Sequence, residues 1–199
     1  MREVINITKE DAGYSELKKM IEKVNEDNLI IVAKSKKNKK STIVPVLSMN
    51  EIYFYVAKEV DGGLVYKLSY TDEELNIAKK NTINRARICG MYSIPFSDGS
   101  TLEDWIPSEF GMNFLTSNSK MNGAGILLCT DYLVKIKEKI GPYYILPSSI
   151  HEVIIVPKNI LNPSIRIDML TQIVKEININ VVDDNDHLAD NAFEYLDWI

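Results

Sequence analysis

The tripeptide Asp61-Gly62-Gly63 is bracketed by two β-branched and aromatic runs, Ile52 to Ala57 and Leu64 to Leu68. Glycine supplies the positive φ angles of a tight reversal at no steric cost, so the spacing predicts a hairpin of antiparallel neighbours. Immediately after it, Thr71 and Glu74 stand in the S/T-x-x-E spacing of a capping box. Leu75, Ala78 and Thr82 then share one helical face, predicting a helix from Asp72 to about Arg85. A hairpin that runs into a capped helix is a motif the remainder of the chain repeats with variations.

Upstream, Thr8 and Asp11 form a relaxed capping box, and Tyr14, Leu17, Ile21 and Val24 recur at helical spacing, predicting a helix from Lys9 to Asn25. Leu29 to Ala33 and Thr42 to Leu47 read as strands, the second at a sheet edge because Pro45 cannot donate to a ladder. Downstream, Ser97 to Ser108 carries Asp98-Gly99-Ser100 and Pro107 without a period, the profile of a connecting loop. Met112 to Thr116 and Ala124 to Cys129 flank a polar segment ending in Asn122-Gly123 and read as a second hairpin. Leu133, Ile136 and Ile140 make a helical stripe that Gly141-Pro142 terminates. Tyr143 to Leu146 and Glu152 to Val156 are strands separated by the turn Pro147-Ser148-Ser149. Asn162-Pro163 reads as an N-cap with proline at the first helical position, followed by the face Leu170, Ile173, Val174 and Ile177. A weak strand at Asn180 to Val182, an acidic turn at Asp183 to Asp186 and an apolar run from Ala192 to Ile199 close the chain.

Hairpins interleaved with three or four helices predict an α+β protein with a mostly antiparallel sheet. The organisation expected is a helix and β segment over 1–50, as a candidate subdomain, and an α+β domain over 51–199. With 199 residues, 45% hydrophobic and 26% charged, the chain falls among globular proteins. Apolar stretches such as Val153 to Val156 are far short of the ~20 residues that cross a bilayer, so no membrane partner is expected. The N-terminus shows no apolar core of a secretory signal, which makes the expected location cytoplasmic and leaves Cys89 and Cys129 as free thiols.

The net charge of -5 repels phosphate backbones, so nucleic acid would need a segregated basic face. Lys34, Lys36, Lys37, Lys39 and Lys40 are the one candidate, with Tyr53 and Tyr55 as stacking partners; the alternative is a hairpin tip kept soluble by charge. His151 is the candidate general base, beside Ser148, Ser149 and Glu152. The competing reading is a turn histidine whose neighbouring serines bond the turn backbone. No Gly-x-Ser-x-Gly elbow occurs, and the His-Glu-x-x-His spacing begun at His151 meets Ile155 instead of a second ligand. Cys129 with His151 is a candidate thiolate and imidazole pair, set against an inert buried cysteine. Cys89, Cys129, His151 and His187 are too scattered for zinc, and the series Asp183, Asn185, His187 and Glu194 has Leu188 where a calcium loop needs glycine. Gly123-Ala124-Gly125 lacks the third glycine of a dinucleotide fingerprint. Neither a metal nor a cofactor is expected. Trp105 and Trp198 are candidate partner anchors or core fillers.

From about Ile52 onward the chain resembles a bacterial family classed only as a domain of unknown function, number 5688 in that series. The resemblance rests on TDEELNIAKKNT at Thr71 to Thr82, FLTSNSKMNG at Phe114 to Gly123, YYILPSSIHEVIIVP at Tyr143 to Pro157 and VKEININVV at Val174 to Val182. It implies no activity, cofactor or catalytic residue, but singles out Asn122, Gly123, Pro147, Ser148, Ser149, His151 and Glu152 as motif positions. The leading expectation is a binding or protein-interaction module without catalytic chemistry, touching an unknown protein partner through Pro147 to Glu152 and Ser119 to Gly123. Two alternatives stand beside it. One is a hydrolase or transferase using His151 with Ser148, Ser149 or Cys129; the other is a phage or mobile-element accessory protein whose lysine loop touches nucleic acid or a host complex.

Overall fold

A computed structural model of the chain describes residues 26–38, 43, 45–60, 63–90, 99–107 and 111–198. The helix expected from Lys9 to Asn25, together with Lys39, Lys40 and Thr42, lies outside the described residues.

The first sheet is built on β3 (Ile52–Val60). β1 (Leu29–Ser35) pairs antiparallel along one edge, from Leu29 opposite Lys58 to Ser35 opposite Ile52. β2 (Leu47–Met49) and β4 (Gly63–Tyr66) share the other edge, and the β3–β4 register places Val60 opposite Gly63 and Ala57 opposite Tyr66, as the glycine reversal predicts. Segment 29–35, within the first fifty residues, is therefore a ladder neighbour of 52–58 in one sheet. α1 (Asp72–Arg85) follows behind the predicted capping box, in which the Glu74 amide donates to Thr71 Oγ1 at 3.1 Å and the Thr71 amide to Glu74 Oε2 at 2.9 Å.

α1 passes without a loop into β5 (Ala86–Gly90), the first strand of a second, five-stranded antiparallel sheet. Its order is β5, β6 (Asn113–Ser117), β8 (Val153–Pro157), β7 (Tyr143–Leu146) and β9 (Phe193–Glu194). Every residue of β8 is buried because both faces are covered. Val153 and Ile155 enter the main core with Ile31, Phe54, Leu115 and Leu133, whereas Ile154 and Val156 meet Leu170 and Val174 of α3 (Ile167–Asn180). α2 (Thr130–Ile140) presents the predicted stripe Leu133, Ile136 and Ile140 to the main core and ends at Gly141, whose φ is 75°. Trp105 and Trp198 are buried core members.

The α+β class and antiparallel pairing are as expected, but four segments differ from their sequence reading. The strand expected at Thr42 to Leu47 lies further along the chain: Ile43, Pro45 and Val46 are outside any strand, and β2 is Leu47–Met49. Ala124 to Cys129 is not the return strand of a hairpin: Gly123–Leu128 is a 3-10 turn, and β6 pairs with β5 and β8. An apolar run buried on all sides carries no period to separate strand from helix, and here Asn122 at φ 58° turns the chain out of the sheet. Asn162-Pro163 does not start the helix. The Asn162 side chain accepts the Ser164 amide at 2.9 Å and its carbonyl the Ile165 amide at 2.8 Å, closing a local turn, so α3 begins only at Ile167. Asn180 to Val182 is not a strand either, because α3 runs through Asn180 and the Val181 and Val182 amides both donate to the Ile177 carbonyl.

The free edge of β1 meets the other half of the molecule. The Ile31 amide donates to Thr82 Oγ1 at 2.9 Å, Asn81 Nδ2 donates to the Leu29 carbonyl at 3.0 Å, and the Gly123–Leu128 turn lies against the same edge. A Cβ on Gly125 would stand 1.9 Å from the Ile31 carbonyl oxygen, and one on Gly123 2.5 Å from both the His151 oxygen and the Thr116 Cα. Ile31 and Thr116 are strand backbone and His151 is backbone of the braced corner, so none of the three moves aside freely. Gly125→Ala is accordingly expected to cost at least about 3 kcal/mol and lower the melting temperature by roughly 10 °C or prevent folding, whereas Gly63→Ala is tolerated, measured by thermal unfolding. No atom lies within 4 Å of a Cβ built at Gly63.

Candidate functional site

The Leu146 to Val153 motif forms the corner between β7 and β8. Instead of lying open, the corner is paired with a later segment. The Ala189 amide donates to the Pro147 carbonyl at 3.1 Å, the Leu188 amide to the Ser148 carbonyl at 3.0 Å and the Ile150 amide to the Asp186 carbonyl at 2.8 Å. Ser148 and Ser149 are buried, and Ser149 Oγ accepts the His151 amide at 3.0 Å. Pro147 is buried as well, while Glu152 is exposed at the exit.

His151 ties this corner to the Asn122-Gly123 turn through both its backbone and its ring. Its carbonyl accepts the Gly123 amide and Thr116 Oγ1, each at 3.0 Å. Ring Nδ1 accepts the Asn122 amide at 3.2 Å, and Nε2 lies 3.2 Å from Asp186 Oδ2. An amide can only donate, so Nδ1 is unprotonated and the proton resides on Nε2, directed at the carboxylate. The left-handed Asn122, at φ 58° and ψ 23°, aims that amide at the ring, a conformation asparagine adopts more readily than other non-glycine residues. Six of the seven motif positions, Asn122, Gly123, Pro147, Ser148, Ser149 and His151, thus belong to one hydrogen-bonded junction.

That arrangement holds position better than it moves protons. A general base needs a nitrogen lone pair facing its substrate, and here one nitrogen is held by a main-chain donor and the other by a carboxylate. Neither serine hydroxyl is hydrogen-bonded to the ring. Cys129 is buried beside α1, its Sγ 3.8 Å from the Lys79 carbonyl, and burial pushes its thiol up to about 12, far from the reactive thiolate range. The concavity beside Asn122 and Gly123, walled by Thr82, Arg85 and Ser119, encloses about 20 Å³, room for one water. Among the described residues no three histidine, cysteine or acidic side chains converge as a metal site. The acidic turn folds on itself, Asp183 Oδ1 accepting the Asn185 amide at 3.0 Å.

The described lysines of the basic cluster are engaged by the protein. Lys34 Nζ lies 5.9 Å from the Tyr66 ring centroid. Lys36 Nζ lies 5.5 Å from that of Tyr53 and donates to the Asn50 carbonyl. Lys37 is ion-paired with Asp190. Sequence reading missed Asp190 altogether, yet it is a hub. Its carboxylate also accepts Asn178 Nδ2 at 3.1 Å and meets His187 Nε2 at 2.8 Å, while its amide donates to Glu51 Oε2 at 3.0 Å. Asp186 was equally hidden, read only as part of a solvated acidic turn. The spacing of two acids around His187 was the available signal, and it does not say which imidazole each acid meets.

These features define a two-sheet α+β protein whose motif residues form a cross-braced backbone junction. The chain belongs to the family of unknown function DUF5688, whose model matches residues 60–196. The match opens at the end of β3 and takes in α1, α2 and α3, the second sheet and the corner. No curated protein and no solved structure matches the chain.

Burial alone would raise the Asp190 carboxyl, but the bonds from Lys37, Asn178 and His187 outweigh it and hold the group at about 2, against an ordinary 3.8. A depressed carboxyl stabilises the fold above its unfolded value, and the contribution disappears as pH falls through the folded one. Asp190→Asn is therefore expected to lower stability at pH 7 by about 1 kcal/mol after solvent screening, the difference from wild type closing between about pH 4 and 2 in urea titrations.

Proposed function

We propose that the protein is a cytoplasmic, non-catalytic interaction module whose partner is a protein. The observation that carries this reading is the engagement of both His151 ring nitrogens, by the Asn122 amide and the Asp186 carboxylate. With the Cys129 thiol buried and raised and both corner serines buried, the enzyme reading has no activated nucleophile. The cytoplasmic assignment is supported by the free thiols and by the lack, among the described residues, of a helix long and apolar enough to cross a membrane. A protein partner is preferred to nucleic acid because the net charge is -5 and Lys34, Lys36 and Lys37 lie against Tyr66, Tyr53 and Asp190. The surface offered to the partner is the exposed rim of the junction, Asn118 to Lys120 together with Glu152.

Serine-directed fluorophosphonate and cysteine-directed iodoacetamide probes test the non-catalytic part. The native chain is expected to leave Ser148, Ser149 and Cys129 unlabelled by mass spectrometry; labelling of any of them that His151→Gln abolishes would overturn the reading. For the partner, the double variant Lys120→Glu, Glu152→Lys is expected to keep the wild-type melting temperature. It should weaken binding of a partner identified by in-cell crosslinking at least about fivefold by calorimetry, and unchanged affinity would refute the proposed surface.

A further inference from the structure

The first sheet has two faces, and the described residues account for the burial of one. Side chains alternate along β1 and β3, so Ile31, Phe54 and Val56 enter the main core while Ile30, Val32, Tyr55 and Ala57 point the other way. Each of these last four is 5% exposed or less. Yet the apolar side chains packed against them, among the described residues, are Ile43 and, from the same sheet, Tyr53, Leu64 and Tyr66. Strand neighbours shield one another's flanks, but a sheet face is buried only when a second layer lies on it. Burial also raises the phenol of Tyr66, although β4 is an edge strand.

The segment ahead of β1 has the sequence of such a layer. The helix expected from Lys9 to Asn25 carries Tyr14, Leu17, Ile21 and Val24 as one apolar stripe. A helix over that range is about 25 Å long and the seven residues of β1 span about 23 Å, so the two match in length. Only the 3-10 turn Glu26–Asn28 separates them, and a connection that short folds a helix back along the strand it feeds. The core face is already filled around Phe54 and Val56, which leaves the outer one. Run antiparallel to β1, the segment brings Glu10 and Asp11 to the end of the sheet that carries Lys34 and Lys36, a complementary charge.

We propose that the outer face of the first sheet is the docking surface of the chain's own residues 9–25, whose apolar stripe covers Ile30, Val32, Tyr55 and Ala57. A face held by the chain itself is closed to a second copy and to other proteins. The proposal does not depend on the partner surface at Asn118 to Lys120 and Glu152.

The test is photo-crosslinking of the full chain carrying p-benzoylphenylalanine in place of Tyr14, one aromatic for another. A second preparation carries it in place of Lys19, on the opposite side of the helical wheel. Irradiation is expected to join position 14 to a residue between Leu29 and Tyr66 of the same chain, read by mass spectrometry, and position 19 to none of them. In thermal unfolding, Ile21→Glu is expected to lower the melting temperature by at least about 4 °C and Lys19→Glu to leave it within about 1 °C. Glutamate is a good helix former, so the first variant removes the apolar contact and not the helix. A crosslink from position 14 to a second copy or outside Leu29 to Tyr66, no crosslink from it at all, or equal melting temperatures of the two variants would overturn the proposal.

Discussion

The contact on which the two halves of this molecule depend is made along the backbone edge of β1. The outer edge of β1 would ordinarily be an open row of donors and acceptors, inviting another strand. Here it is closed by the Thr82 hydroxyl, which accepts a hydrogen bond from the Ile31 amide and donates one to the Ala78 carbonyl at 2.7 Å, and by the close approach of Gly125. Thr82 is a poor helix former in isolation, but its hydroxyl fills a role no aliphatic residue could. Gly123 serves the second sheet as Gly125 serves the first, so two glycines separated by one alanine set the distance between the sheets.

From that contact the rest of the brace follows. Gly123 can reach the His151 carbonyl only because Asn122 takes a left-handed turn, and the same turn directs the Asn122 amide to the imidazole. The imidazole in turn reaches Asp186, which places segment 186–189 alongside the corner. Segment 187–191 then continues to Lys37 and Glu51 at the far end of the first sheet and to Asn178 on α3. A stretch with almost no regular structure thereby fastens both sheets and a helix. Its individual bonds are worth about 1 kcal/mol each, but the buried ends of the corner leave each of them costly to break.

Local rules were legible where they acted within a few residues. The pairing of β3 with β4 and the capping box of α1 follow from groups three or four positions apart, and Gly141 ends α2 for a reason contained in its own φ. The Leu146 to Val153 motif stood out in the sequence as well, with its role as a turn or as a site left open. What could not be read were features decided by distant partners. β5 begins directly at the end of α1, so the signal of Ala86 and Ile88 as an inward-facing pair merges with the helical pattern before it. The Gly123–Leu128 run is apolar throughout, and only its burial between β1 and β6 selects a tight helical turn over a strand. Asp186 looked like solvent-facing charge and Asp190 carried no signal, because His151 and Lys37, which they meet, lie far away in sequence.

The abrupt passage from α1 to β5 also explains why the interior is incomplete at that place. A helix that turns into a strand within one residue diverges at once from its former path, and Ala86, with φ -60° and ψ 136°, makes the change. The wedge so opened lies between Ile83, Asn84 and Arg87 on one side and Thr101 to Glu103, Tyr132 and Lys135 on the other.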